Sequence, residues 1–131
     1  MPPEENQPGS PQDWMRFARS DLELAKITPP PGVLLEGLCF HTQQAAEKAL
    51  KAVLVSYGIS FPMTHSLRIL LDLLHDCISI PEEVEDASSL TDYSVMARYP
   101  GDIEIVDEKE YHEAIHLAET VVSWAEDIIR R

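Results

Sequence analysis

The sequence predicts an all-α fold: an up-and-down bundle of four main helices plus a short extra helix. Three observations carry this. Apolar residues recur at helical spacing through several long segments, breaks bearing Pro or Gly separate those segments, and no useful length of chain alternates apolar and polar residues as a half-buried strand would. With 131 residues, 44% of them hydrophobic, the chain can build one core without metal or disulfide staples and is too apolar to stay unfolded.

Residues 1–12, MPPEENQPGSPQ, have no basic start and no apolar run, and are expected to form a flexible Pro-rich leader, not a signal peptide. Residues 13–131 form the helical domain. Ser10-Pro11-Gln12-Asp13 reads as a helix start, with Ser as N-cap, Pro at the first helical position and an acid at the third. Trp14, Phe17, Ala18, Leu22 and Ala25 follow at helical spacing until Thr28-Pro29-Pro30-Pro31-Gly32 stops the helix. A long second helix is expected from about Val33 to Tyr57, ended by Gly58. Thr64 is placed to cap a third, roughly residues 65–77, carrying Leu67, Leu70, Leu71 and Leu74. Pro81-Glu82-Glu83 opens a further helical stretch expected to run to Arg98 and halt at Pro100-Gly101. Asp107 with Glu110 forms a capping-box-like start for the last helix, whose seam is Tyr111, Ile115, Ala118, Val122, Ala125 and Ile129.

Charge bounds the function. The net charge is −13: residues 13–80 carry seven acids against six bases, residues 81–131 fourteen against four, and Glu4 and Glu5 supply the remainder. An acidic field opposes nonspecific nucleic-acid binding, so any phosphate site must be a local pocket in the near-neutral half. Cys39 and Cys77 make no framework and no CxxC, which points to a reducing cytoplasm. No stretch approaches the ~20 apolar residues that span a bilayer, so no membrane partner is expected.

On the second helix, Leu34, Leu38, Ala45, Ala49 and Ala52 share a narrow face whose small residues admit a close neighbour. Beside it, His41, Gln44, Lys48 and Lys51 fall within about 80° of one another. That stripe is either a solvated edge or a basic, hydrogen-bonding strip for a phosphate or an acidic partner, and periodicity does not decide between them.

His112-Glu113-Ala114-Ile115-His116 satisfies HExxH, in which two histidines on one helix face hold zinc and the glutamate activates its water. With Ile115 as the centre of the buried seam, His112 and His116 fall on the outward side. A protease of that kind also needs a third ligand and usually a strand edge. Only fifteen residues follow His116, and the motif is expected to be a surface coincidence. Neither a metal site nor a cofactor is expected.

The opening WMRFARSDLELA, then CFHTQQAAEKALKAVLVSYGI, THSLRILL and ARYP, in that order and spacing, resemble the HEPN family, the higher eukaryotes and prokaryotes nucleotide-binding domain. The resemblance runs from about Trp14 to Ile129. It implies a helical bundle that dimerises, often as the partner or toxin half of a toxin–antitoxin-like pair with a minimal nucleotidyltransferase. Some members of that family are metal-independent ribonucleases that use an Arg-x4-6-His motif at the dimer interface. The arginine of the motif matches Arg98, but Tyr99-Pro100-Gly101-Asp102-Ile103-Glu104-Ile105 follow without a histidine. Cleavage through the 2′-hydroxyl requires a base and an acid, each contributing about 10²–10⁴-fold. Arginine is always charged and cannot be that base.

The resemblance therefore implies a nucleotide- or RNA-binding or nucleotidyltransferase-partner module without strong catalysis, with Arg98, Tyr99, His65, His41, Gln44, Lys48 and Lys51 as candidate ligand contacts. Arg98 and Tyr99 pair phosphate contact with base stacking. A rival is a metal-independent endoribonuclease in which His65 or His41 supplies a non-standard base to Arg98. A second rival is a purely protein-interaction module that presents its acidic half to a basic partner.

Overall fold

The computed structural model describes residues 8–94 and 105–131. Among these the chain is entirely helical: α1 Pro11–Lys26, α2 Leu35–Ser56, α3 Leu67–His75, a short α4 Glu82–Glu85 continuing as a 3₁₀ helix over Asp86–Tyr93, and α5 Glu108–Arg130.

The expected start of α1 forms as read: the hydroxyl of Ser10 accepts from the Asp13 N–H at 3.0 Å, with Pro11 at the first helical position. At the end of α2 the Gly58 N–H donates to the Val55 carbonyl and the Ile59 N–H to that of Leu54, at 3.0 and 2.9 Å. This paired closure needs a left-handed residue, which Gly58 supplies at φ 69°. Ile59 is then turned back to pack on the core.

α2 is the central helix, packed against α1, α3, α5 and the 3₁₀ segment. Leu38, Ala45, Ala49 and Ala52 are buried as their shared face suggested, whereas Leu34 precedes the helix and is exposed. Burial extends well beyond that face: Cys39, Ala46, Leu50, Val53 and Leu54 are fully enclosed too. Ala45, Ala46, Ala49 and Ala52 let neighbouring backbones come close, and the leucines fill the gaps between layers. Each buried leucine stabilises the fold by about 1.5–3 kcal/mol.

Two element boundaries and one seam differ from the sequence expectation. α3 begins two residues later than expected, capped by Ser66 and not Thr64. The Ser66 hydroxyl accepts from Ile69 N at 3.4 Å, Thr64 Oγ1 accepts from Ser66 N, and Thr91 Oγ1 takes the Leu67 N–H. The stretch after Pro81 is α-helical only to Glu85. Beyond it, the buried residues Val84, Ala87 and Leu90 and the half-buried Tyr93 repeat every three residues, the period of a 3₁₀ helix. Ser88, Ser89 and Thr91 favour that change because their hydroxyls compete for backbone groups, as Ser89 Oγ does by donating to the Asp86 carbonyl at 3.1 Å. The remainder of the expected helix, to Arg98, lies outside the described residues. On α5 the buried line is Tyr111, Ala114, Ala118, Val121, Val122 and Ala125, so its centre runs along Ala118 and Val121, with Ile115 and Ile129 at the margins. Asp107 caps α5 through the Glu110 N–H at 2.8 Å, while the Glu110 carboxylate accepts the Tyr93 hydroxyl.

No helix among the described residues is long and apolar enough to cross a membrane.

Candidate functional site

Among the described residues, Glu47 and Gln43 are buried inside the bundle and each makes three side-chain hydrogen bonds; Glu47 is the charged one of the two. Its side chain is only 4% exposed, in the middle of α2, and a carboxylate there must be paired and hydrogen-bonded. Lys51, one turn on, donates to Oε2 at 2.8 Å. Gln43, one turn back, donates to Oε1 at 3.0 Å, and Nδ1 of His65 lies 2.8 Å from the same oxygen. Burial pushes the Glu47 carboxyl up, but the bonds from Lys51, Gln43 and His65 and the charge of Lys51 outweigh it and hold the group below its ordinary value. Lys51 is itself only 10% exposed, and its ammonium lies 5.6 Å from the ring centres of both Trp14 and Phe61. Those rings meet edge to face.

Gln43 does more than satisfy Glu47. Its amide nitrogen also donates to the His65 carbonyl at 3.0 Å, and its oxygen accepts from Gln44 at 2.8 Å. His65, on the connection just before α3, is therefore held at both its backbone and its ring by two residues one turn apart on α2. Its side chain nevertheless remains 63% exposed. Among the described residues nothing engages its Nε2, so that nitrogen is open to a ligand or a proton.

A second cluster joins α1 to α2. Asp21 receives Lys48 Nζ at 2.5 Å and faces His41 Nδ1 at 3.1 Å, with Lys48 also 5.8 Å from the Phe17 ring centre. The expected basic stripe thus divides in two. His41 and Lys48 share Asp21, Lys51 is enclosed against Glu47, and Gln44 tops the network. It is not a solvated edge, since His41, Gln44 and Lys48 are half-buried and Lys51 is buried. Arg98 and Tyr99 lie outside the described residues.

The sequence reading missed Gln43, Glu47 and Asp21. The spacing of Gln43, Glu47 and Lys51 at successive turns was a visible signal for the first two, because those positions fall on one face and a buried carboxylate needs such neighbours. Asp21 carried no local signal; only the packing of α1 on α2 reveals it. His112, Glu113 and His116 are all exposed on α5, and no group of three or more metal-ligating side chains occurs among the described residues.

An all-helical bundle of this order, with a Gln-Gln-Ala-Ala-Glu-Lys helix bonded to a Thr-His connection, defines a small helical-bundle domain. The HEPN domain model matches residues 11–128, and the chain belongs to the HEPN family. Solved structures agree. A protein from Thermus thermophilus is 29% identical, with 92% of this chain and 98% of that one covered and a TM-score of 0.78. An archaeal HEPN homologue is 28% identical over 90% and 96% of the two chains, TM-score 0.70. A HEPN domain protein from Thermotoga maritima is 26% identical over 92% and 94%, TM-score 0.56. No curated protein matches the chain.

Proposed function

We propose that this HEPN chain binds nucleotide or RNA without strong catalysis of its own, as a homodimeric partner of a minimal nucleotidyltransferase in a toxin–antitoxin-like pair within a reducing cytoplasm. The observation that carries the ligand site is the exposed imidazole of His65, fixed by Gln43 and Glu47 with Nε2 unengaged among the described residues. Preorganised side chains bind with less loss of rotamer freedom. Gln44, Lys48 and His41 border the same helix, and Arg98 with Tyr99 would add phosphate contact and base stacking. Lys51 supports the site from within, by neutralising Glu47. Weak catalysis follows from the missing histidine after Arg98.

Titration of the full chain with nucleoside triphosphates and with short single-stranded RNA tests the binding. Saturable binding that weakens about tenfold in Arg98→Ala and in His65→Gln supports this reading, since a hydrogen bond to a charged group contributes roughly 1.5–3 kcal/mol. Binding of neither ligand, alongside capture of a basic protein that charge reversal in residues 102–119 abolishes, would replace it with a purely protein-interaction module.

One observation favours a second reading. A histidine held by a carboxylate at one ring nitrogen and open at the other is the arrangement of a general base. Such an Nε2 could take the proton of an RNA 2′-hydroxyl as that oxygen attacks the adjacent phosphorus, with Arg98 stabilising the pentavalent phosphate. The departing 5′-oxygen still requires a proton from a separate acid. Chelator-resistant cleavage that depends on both Arg98 and His65 is the signature of this alternative.

A further inference from the structure

Away from the Glu47 cluster, the start of α1 and the end of α5 enclose a cleft of about 530 Å³. Arg16 and Arg19 enter it from α1 and Arg130 from α5, above an apolar floor of Met15 and Ile129. Among the described residues lining it, two carboxylates answer these three guanidinium groups. Asp13 accepts from Arg16 at 3.1 Å, and Glu126 is shared, accepting from Arg19 at 2.5 Å and from Arg130 at 3.3 Å. The lining is therefore +1 (three arginines less Asp13 and Glu126) in a chain whose net charge is −13. These bonds engage one nitrogen of each guanidinium, leaving most of its five N–H donors for an incoming group.

We propose that this cleft is an anion site for a polyphosphate group, separate from the α2 site and independent of the function proposed above. Three planar forks carried on two helices match a chain of phosphate oxygens, each able to accept two parallel bonds. Glu126 bridges Arg19 and Arg130 through one nitrogen of each, so neither fork is filled by a carboxylate. The volume is too large for one phosphate and accommodates a linked series.

The test is calorimetric titration of the full chain with inorganic triphosphate, and in parallel with ATP. One saturable site for triphosphate is expected at the cleft of each chain, weakened about tenfold or more in Arg19→Gln and in Arg130→Gln; with ATP, the cleft is read as the component of binding that these two substitutions weaken and His65→Gln leaves intact. Lys26→Gln makes the same change in charge at the other end of α1 and is expected to weaken binding by less than about threefold, since exposed charges beyond a Debye length are screened. In that component, tighter binding of ATP than of triphosphate would identify a nucleotide as the source of the phosphates; equal binding would identify the bare polyphosphate. Both results keep the site. Absence of saturable binding, or equal weakening by all three substitutions, overturns it. Weakening by Lys48→Gln but not by Arg130→Gln also overturns it, and would place the anion on α2 in support of the separate site there. Unchanged thermal midpoints for the variants tie any loss to the cleft and not to unfolding.

Discussion

Nδ1 of His65 and Oε1 of Glu47 lie 2.8 Å apart, joining an exposed imidazole to one of the most enclosed carboxylates of the bundle. The contact links two stretches of sequence eighteen residues apart, the second helix and the connection before the third. It explains how a side chain on a connecting segment acquires a fixed orientation. α2 is held in place by packing against its neighbours, and His65 borrows that rigidity through Gln43 and Glu47.

Glu47→Ala is expected to destabilise the fold by about 3–5 kcal/mol, because it leaves Lys51 buried without its counter-charge. Urea denaturation near neutral pH measures this, and a cost close to that of an ordinary surface substitution would show that Lys51 escapes to solvent.

The same carboxylate sets an acid limit. Its folded-state value lies below the ordinary 4.5, so its contribution to stability is fully present above that value and is lost as pH falls from there through the lowered one. Denaturation across that window is expected to show a steeper loss for the wild type than for Glu47→Gln, which has no carboxyl to protonate. Parallel curves would assign the acid sensitivity to other groups.

The two cysteines should differ sharply in reactivity. Burial, and then the negative charges of Glu110 and Glu36, push the Cys39 thiol up to about 12, whereas Cys77 is exposed. Mild alkylation of the native protein is expected to add one adduct, on Cys77, with Cys39 labelled only after unfolding. Equal labelling of both by mass spectrometry would mean that α2 opens locally.

Asp21→Asn tests whether the stripe on α2 meets anions. It releases both Lys48 and His41 from their carboxylate, so nucleotide affinity is expected to rise several-fold, with a steeper dependence on salt. Unaltered affinity would confine the ligand to His65 and the region of Arg98.

Ala49→Leu probes the close approach of helices around α2. Ala49 is fully buried, and the added carbons have no space, so a loss of about 1–3 kcal/mol is expected from denaturation. A neutral result would reveal slack between α2 and its neighbours.

The long helices are legible because their signals are local. Ser10-Pro11 and Asp107 cap their own helices, and Gly58 supplies the positive φ that ends α2. The 3₁₀ segment reads as α in the sequence because Val84, Ala87, Leu90 and Tyr93 fit a three-residue repeat that also overlaps helical spacing over so short a run. Thr64 and Ser66 are both capping residue types, and the bonds from Ile69 N to the Ser66 hydroxyl and from Leu67 N to Thr91 show where the turn begins. The candidate site is half visible: His41, Gln44, Lys48 and Lys51 follow from helical phase, but their carboxylate partners do not. Asp21 comes from another helix, and Glu47 looks like one more surface acid until its burial is known.

The central claim is that this HEPN chain binds nucleotide or RNA without cleaving it, and cleavage is the most direct test. Purified protein is incubated with single-stranded RNA in the presence of chelator, comparing wild type, Arg98→Ala and His65→Ala. The account predicts no cleavage above the Arg98→Ala background, alongside saturable RNA or nucleotide binding by the wild type. Cleavage that survives chelator and disappears in Arg98→Ala would contradict it and make the protein a metal-independent ribonuclease, with loss in His65→Ala identifying the base.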